Sequence, residues 1–254
     1  MCGRYSLATP TPADVRARFP VGESVEIRRR YNVAPADDVL AVTVDREGSP
    51  RGELLRWGLV PSWAERPDIG LKMINARAET AAERPAFRRA YERYRCLILA
   101  DGFYEWQPAR SAHRSAPSHR SAPARRSALA RRARKQPFHI STTDQQPFAF
   151  AGLWSIWHGP DDRILRSCSI LTVAANEAVA PLHDRMPVIL PADAEGPWLD
   201  PATPIPALAD LLVPLPPERT AVRPVSSAVN DARYDGPECL APPEPSEQAT
   251  LFEL

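Results

Sequence analysis

The sequence predicts an α+β fold in which short helices and loops surround a barrel-like, mostly antiparallel β-sheet. Seven short segments are rich in β-branched and aromatic residues, whereas only three segments read as short helices. Strands and helices do not alternate in the βαβ order of a parallel sheet, so most strands should pair antiparallel. With 254 residues, 44% of them hydrophobic and 25% charged, the chain is long enough to bury a core, and wholesale disorder is excluded.

The first helix is predicted from its capping residues and the later elements from their composition. Thr11 precedes Pro12 and the segment VRARF, which is typical of a helix with proline at its first position. A second helix is expected over residues 84–95, with Pro85 at its start, and a short one near 206–212. The predicted strands cover residues 39–44, 53–60, 96–106, 138–142, 148–154, 167–174 and 186–190.

Charge is distributed unevenly along the chain, although the net charge is only +1. Residues 110–135 contain eight arginines, Lys135 and no acid, in an approximate R-S-A-P repeat. Such a low-complexity stretch cannot bury a core. We expect a domain over residues 1–236, interrupted by this insertion at about 109–135, followed by a flexible Pro/Glu-rich tail over 237–254. The insertion is interpreted either as a tolerated hairpin tip or as a basic arm that attracts phosphates.

Targeting signals are missing from the sequence. No run approaches the roughly 18 apolar residues of a membrane span. Residues 1–10 lack the apolar core of a signal peptide. We therefore expect a cytoplasmic protein with no membrane contact.

The four cysteines, Cys2, Cys96, Cys168 and Cys239, have no C-x-x-C spacing, so neither a metal site nor a disulfide framework is expected. Cys96 and Cys168 lie in apolar runs and should be buried. Cys2 lies at the extreme N-terminus, where we expect little core for it to fill.

Removal of Met1 would make Cys2 a free 1,2-aminothiol with two adjacent nucleophiles. Its α-amine has an ordinary pKa of about 8, and its thiol one of about 8.5. An aldehyde would form a Schiff base with the amine, and the thiolate would then close a thiazolidine ring. The sequence alone also allows Cys2 to be a merely permissive residue at that position.

Nine short blocks, in order, resemble the SOS response-associated peptidase (SRAP) family of abasic-site processing proteins. The resemblance runs from residue 1 to about 235 and misses only the Arg-rich insertion. The blocks are MCGRY (1–5), RYNVAP (30–35), RWGLVPSW (56–63), INARAET (74–80), ADGFYEW (100–106), FAGLW (150–154), LTVAAN (171–176), HDRMPVIL (183–190) and VSSAVN (225–230).

The resemblance implies a thiazolidine crosslink between the N-terminal cysteine and the ring-opened aldehyde of an abasic site in single-stranded DNA. It assigns the nucleophile to Cys2 and the other active-site roles to Asn75, Glu105 and His183. No cofactor or metal is implied, and we expect a monomer. The implied DNA contacts are Arg4, Arg77, Arg185 and Thr172, together with an apolar wedge of Trp63, Pro35 and Pro61.

Residue chemistry is compatible with these roles. Glu105 lies between aromatic residues in a predicted strand, so its pKa should be raised and it can shuttle protons. His183 titrates near neutrality and can protonate the sugar ring oxygen. Asn75 does not titrate and suits orientation by hydrogen bonds. Trp57 and Trp106 are expected in the core.

Two other functions remain open at this point. One is a thiol peptidase with Cys2 and His183 as a dyad, whose hydrolase activity could amount only to removal of Met1 by the chain itself. The other is a non-covalent single-stranded DNA-binding module. A separate feature is the tail segment around Gln248, Leu251 and Phe252, which resembles the Q-x-x-L-F peptides that dock onto the bacterial sliding clamp.

Overall fold

A computed structural model describes residues 2–45, 47–107, 135–160 and 162–244. Within these ranges the chain forms thirteen strands, arranged in two sheets. They are β1 (Tyr5–Leu7), β2 (Arg30–Val33), β3 (Asp38–Val44), β4 (Pro50–Trp57), β5 (Asn75–Arg77), β6 (Arg95–Ala100), β7 (Gly102–Trp106), β8 (Pro137–Thr142), β9 (Phe148–His158), β10 (Ile164–Ala174), β11 (Arg185–Pro187), β12 (Ile189–Leu190) and β13 (Thr220–Pro224).

The helices in the same ranges are short. The α-helices are α1 (Pro12–Arg18), α2 (Ala78–Ala81), α3 (Arg88–Arg93), α4 (Ala192–Leu199) and α5 (Ile205–Asp210), and the 3₁₀ helices are Pro67–Lys72, Pro217–Arg219, Ser227–Asn230 and Pro237–Leu240. The capping residue predicted for α1 is confirmed, because Asp14 N donates to Thr11 Oγ1 at 3.2 Å and Thr11 N donates back to Asp14 Oδ2 at 2.8 Å.

Five strands of the larger sheet close into a barrel. The order β10-β4-β3-β6-β9 is completed by direct pairing of β9 with β10. Within this ring only the β10–β4 contact is parallel. The predicted α+β fold with a barrel-like, mostly antiparallel sheet is therefore confirmed. Outside the ring, β5 and β11 pair with β10, and β12 pairs with β9.

The second sheet has the order β13-β8-β7-β1-β2 and is antiparallel throughout. Its β1 begins at Tyr5, whose ring packs edge-on against Trp57 at 5.3 Å and against Phe150 at 5.7 Å. These contacts anchor the N-terminal strand in the main core. The Arg-rich segment lies between β7 and β8, where Trp106 pairs with Pro137.

The single strand predicted over residues 96–106 is wrong, because the chain changes sheet at Asp101. The buried Asp101 carboxylate accepts hydrogen bonds from Ala8 N at 2.9 Å and Thr9 N at 2.6 Å, which fixes this bend. The next residue, Gly102, cannot carry a Cβ, since that atom would lie 2.1 Å from His139 Nε2. As a result β6 lies in the barrel, whereas β7 lies in the second sheet.

Other predicted boundaries also differ from the structure, and two of them have a clear physical cause. Strand β4 stops at Trp57 because Gly58 has a φ of +122°, which is unfavourable for other residues. The expected tail does not begin at Pro237, because Pro237–Leu240 form a 3₁₀ helix. Cys239 of this helix is buried against Tyr104, Val225 and Val229. Apolar contact therefore draws this segment onto the second sheet.

Candidate active site

Cys2 lies just ahead of β1 and is completely buried as part of the main hydrophobic cluster. The expectation that it has little core to fill is therefore wrong. The anchored Tyr5 holds the start of the chain against the barrel. The Cys2 thiol donates to Arg4 O at a sulfur–oxygen distance of 3.5 Å. The N-terminal segment is thus a packed part of the fold.

The pairing of β1 with β7 brings Glu105 close to Cys2. Tyr5 pairs with Phe103, and Tyr104 N donates to Arg4 O at 3.0 Å. Continuing this antiparallel register brings Gly3 opposite Glu105. Glu105 is only 5% exposed, so its carboxyl lies in the interior beside Cys2.

Burial and charge shift the pKa values of both groups. Burial raises the pKa of the Cys2 thiol, and the negative charge of Glu105 raises it further. Burial also raises the pKa of the Glu105 carboxyl, while the positive charge of His183 opposes that effect. The thiol is therefore held in its neutral form, next to a carboxyl that takes up a proton more readily than an exposed glutamate does.

Asn75 contacts Cys2 directly from β5. This strand runs parallel to β10, with Asn75 paired to Ile170. Asn75 Nδ2 donates to Cys2 O at 2.7 Å. Its other amide atom, Oδ1, is buried and accepts no hydrogen bond from the residues that the structure describes. Asn75 therefore fixes the backbone of Cys2 and keeps one buried acceptor for another donor.

His183 is positioned by the loop that follows β10. Asn176 holds this loop, because its Nδ2 donates to Leu215 O at 2.7 Å and its Oδ1 accepts from Val179 N at 3.0 Å. Further on, Arg185 N donates to His183 Nδ1 at 2.9 Å.

A second group also approaches His183 Nδ1, since Asp184 Oδ1 lies 2.8 Å away. The two contacts need opposite protonation states of this nitrogen. Arg185 N donates to Nδ1 of the neutral ring, whereas Nδ1–H of the protonated ring donates to Asp184 Oδ1, whose side chain is 86% exposed. Nε2 carries a proton in both of these states.

The structure thus brings together the four residues predicted for catalysis. Asn75 is hydrogen-bonded to Cys2, and the charge of Glu105 acts on the Cys2 thiol. The charge of His183 in turn acts on Glu105. This arrangement offers a buried thiol, a proton-accepting carboxyl, a hydrogen-bonding amide and an imidazole in one cluster.

Two of the predicted phosphate-binding arginines are engaged within the protein. Arg4 donates to Asn32 Oδ1 at 3.0 Å and to Val229 O at 2.9 Å, and burial lowers its pKa. Arg185 forms a bidentate ion pair with Glu79 and also donates to the Thr172 carbonyl. Neither guanidinium is presented to solvent as an exposed cation, because each holds two segments of the fold together.

The third predicted arginine, Arg77, is exposed at the end of β5, on the same side of the strand as Asn75. Thr172 does not fit a DNA contact through its side chain, since it is buried and its hydroxyl donates to Ala76 O at 3.4 Å. Thr172 lies in the run of β10 from Ser167 to Val173 in which every residue is buried.

The exposure of the tryptophans agrees only in part with the sequence-based expectation. Trp63 is 60% exposed, as a base-stacking residue must be, and Pro35 is half-buried. Trp57 is in the core, as predicted. Trp106 is not: it is half-buried, and its indole N–H donates to Asn230 Oδ1 at 2.6 Å.

Sequence reasoning missed Glu79 and Asn176, although both lie inside the quoted blocks. Glu79 is the acid of INARAET, and Asn176 is the final residue of LTVAAN. An acidic residue two positions after a predicted phosphate-binding arginine was the available signal for Glu79. The signal for Asn176 was a polar residue directly after the largely apolar run LTVAA.

Several expectations concern residues outside the described ranges. Gln248, Leu251 and Phe252 belong to this group, as does nearly all of the insertion at 109–135. Among residues 2–45, 47–107, 135–160 and 162–244, no cluster of His, Cys, Asp or Glu could hold a metal ion. Over the same ranges no helix is both long and apolar enough to cross a bilayer.

Known proteins match this chain along almost its whole length. The family model described as SOS response associated peptidase (SRAP) matches residues 1–232. Abasic site processing protein YoqW of Bacillus subtilis is 37% identical over 244 residues, covering 94% of this chain and 99% of YoqW. Abasic site processing protein HMCES of Xenopus tropicalis is 32% identical, covering 95% and 78% of the two chains. A crystal structure from Bacteroides thetaiotaomicron matches with a TM-score of 0.77 at 22% identity, covering 95% of this chain and 99% of its own.

Proposed function

Because the chain belongs to the SOS response-associated peptidase (SRAP) family, we propose that it processes abasic sites in single-stranded DNA by forming a covalent thiazolidine through Cys2. The relatives named as abasic site processing proteins support the substrate class. The observation that carries the proposal is the hydrogen bond from Asn75 Nδ2 to Cys2 O, with the buried Glu105 carboxyl beside the same residue.

The reaction begins once Met1 is removed and Cys2 has a free α-amine. The amine attacks the aldehyde of the ring-opened sugar, and the resulting carbinolamine loses water to give an iminium. Sγ then adds to the same carbon and closes the five-membered ring. One aldehyde and one aminothiol thus give one thiazolidine and one water, with no external oxidant or reductant.

The cluster supplies the proton transfers that these steps need. The raised pKa of Cys2 keeps the sulfur as a thiol, so its addition needs a base. Glu105 is that base, and in its protonated form it donates to the departing water. Protonated His183 donates its Nε2 proton to the sugar ring oxygen, which opens the ring and leaves the imidazole neutral. Asn75 Oδ1, a buried acceptor, takes an N–H of the Cys2 amine and orients it.

The thiol-peptidase alternative receives less support from the electrostatics. A cysteine–histidine dyad works because the imidazolium lowers the pKa of the thiol. Here burial and Glu105 raise the Cys2 pKa, and the charge of His183 acts on Glu105. Peptidase chemistry limited to removal of Met1, assisted by Cys2 and Glu105, fits this arrangement better than a general protease does.

A denaturing gel tests the proposal against both alternatives. The protein is incubated with single-stranded DNA that contains an abasic site, and separately with a peptide substrate. A heat-stable adduct supports the crosslink, peptide cleavage supports the peptidase, and neither product supports a binding module. Cys2→Ala should remove the adduct, whereas Cys239→Ala, in a separate cluster, should retain it.

A second proposal concerns a protein partner. The segment with Gln248, Leu251 and Phe252 is proposed to dock on a bacterial sliding clamp, because Leu251 and Phe252 are adjacent large apolar residues that follow a segment of Pro, Glu, Ser, Gln, Ala and Thr. A peptide over residues 242–254 should bind a clamp with micromolar affinity, about −8 kcal/mol. Binding that is unchanged after Leu251 and Phe252 become alanine would contradict the motif.

A further inference from the structure

A cavity of about 240 Å³ lies between α3, β9 and the loop after β4. Its walls are aromatic: Trp63, Tyr94 and Trp154 all line it. The rings of Tyr94 and Trp154 meet edge-on, with centroids 5.2 Å apart. Trp63 forms the outer wall and is 60% exposed. A flat ring can therefore enter beside Trp63 and contact aromatic surface inside.

The charged groups of this cavity are basic. Arg89 and His158 line it, and the Arg89 guanidinium carbon lies 5.6 Å from the Tyr94 ring centroid. No carboxylate is among the lining residues. The exposed surface next to it, residues 83–93, carries four arginines and two glutamates. Within the described part of the chain none of these arginines forms an ion pair.

A neighbouring cavity has a different set of charged lining residues. It is larger, about 990 Å³, and shares Tyr94 and Trp154. Three carboxylates, those of Asp45, Glu47 and Glu92, line it together with three arginines, Arg51, Arg93 and Arg166. A polyanion therefore meets carboxylates in the larger cavity, whereas the lining of the Trp63 cavity has an arginine and no carboxylate.

The strand β10 connects the smaller cavity to the candidate active site. Ser155 lines the cavity and pairs with Ser167 of β10, and Ile170 of the same strand pairs with Asn75. Three residues along β10 span about 10 Å, and the two strand spacings from β9 to β5 add about 10 Å sideways, so Ser155 and Asn75 are about 14 Å apart. The cavity therefore lies within reach of the single strand that flanks a nucleotide held at Asn75.

We propose that this cavity is a subsite for one nucleobase of the single strand that flanks the abasic site. The inference rests on the proposed function for the identity of the strand. The base enters beside Trp63, while Arg89 contacts the adjacent phosphate. Aromatic contact accepts any base, which suits a protein whose target lesion has lost its base.

Fluorescence of 2-aminopurine tests this subsite, because stacking on aromatic rings quenches it. The probe is a single strand with a tetrahydrofuran abasic analogue, which has no aldehyde, and with 2-aminopurine at successive positions on either side. We expect one position to be quenched far more than the others. Arg89→Ala should weaken that quenching and reduce affinity about tenfold. Ala86→Trp, which fills the cavity from a half-buried position, should do the same.

The matched control is Arg93→Ala, an exposed arginine of the same helix that lines the larger cavity instead. It should leave the position-specific quenching intact. Equal quenching at all positions would overturn the subsite. So would an equal loss of the position-specific quenching in Arg89→Ala and Arg93→Ala. Crosslinking of the wild type to a true abasic site is measured in parallel. Position-specific quenching without a crosslink would refute the thiazolidine and leave the subsite standing, whereas a crosslink with uniform quenching would refute only the subsite.

Discussion

Arg185 donates to both carboxylate oxygens of Glu79, at 2.6 and 2.8 Å, and its side chain is only 14% exposed. The geometry is the bidentate one by which arginine binds a phosphate. Hydrogen bonding to Arg185 lowers the pKa of Glu79, so the pair is ionised at neutral pH. Glu79 therefore occupies the position on Arg185 that a DNA phosphate would need.

Replacing Glu79 by glutamine should strengthen binding to intact single-stranded DNA. The substitution removes the competing charge while it keeps one hydrogen-bonding oxygen. The log–log salt slope should steepen by about one phosphate contact. Glu83→Gln, at an exposed position with no ion pair in the described part of the chain, is the control. Unchanged affinity and slope would mean that Arg185 has a purely structural role.

Glu105→Gln should slow crosslinking by about 10²-fold, because the thiol loses its base. Non-covalent binding to intact DNA should stay the same. Since burial raises the pKa of Glu105, the acidic limb of the wild-type rate profile should lie above the range of an ordinary glutamate, and the variant should lack that limb. Rates are measured from gel time courses across pH. Glu195→Gln, which alters another buried glutamate with a raised pKa, should retain the limb.

Stability should fall on mild acidification because of His139. Burial lowers the pKa of this histidine to about 4, with Arg223 contributing in the same direction. The unfolded state then binds more protons than the folded state between about pH 6.5 and pH 4, so stability is lost as pH falls through that window. We expect a loss of about 2 kcal/mol between pH 6.5 and 5, measured by urea unfolding. A His139→Gln variant that shows the same loss would assign the effect to other groups.

Deleting residues 110–135 should leave crosslinking intact and flatten the salt dependence of DNA binding. The ends of the segment are already close, because Trp106 pairs with Pro137 and Gln107 N donates to Gln136 O at 2.9 Å. A short glycine-containing turn can therefore replace it. The slope should fall by the number of phosphates that the segment contacts. An unchanged slope would identify the insertion as a passive linker.

Sequence patterns predicted the barrel because short runs rich in β-branched residues are typical of strands. Blocks such as INARAET indicated the region of the site. The sequence patterns could not predict features that depend on contacts between residues far apart in the chain. Glu79 and Arg185 pair across 106 positions of the chain. The turn at Asp101 depends on backbone donors from Ala8 and Thr9.

The burial of Cys2 has a similar explanation. It follows from the packing of Tyr5 onto Trp57 and Phe150, which no local pattern encodes. Local composition thus predicts which element forms. Tertiary contacts decide which side chains remain accessible.

Mass spectrometry of the adduct tests the central claim most directly. The wild-type protein is reacted with a single strand that contains one abasic site, and the N-terminal peptide is then sequenced. We predict that the sugar is attached at Cys2 through both its nitrogen and its sulfur, with loss of one water and without need of borohydride trapping. A heat-stable adduct that persists in Cys2→Ala, or one that maps to a lysine, would contradict the thiazolidine mechanism.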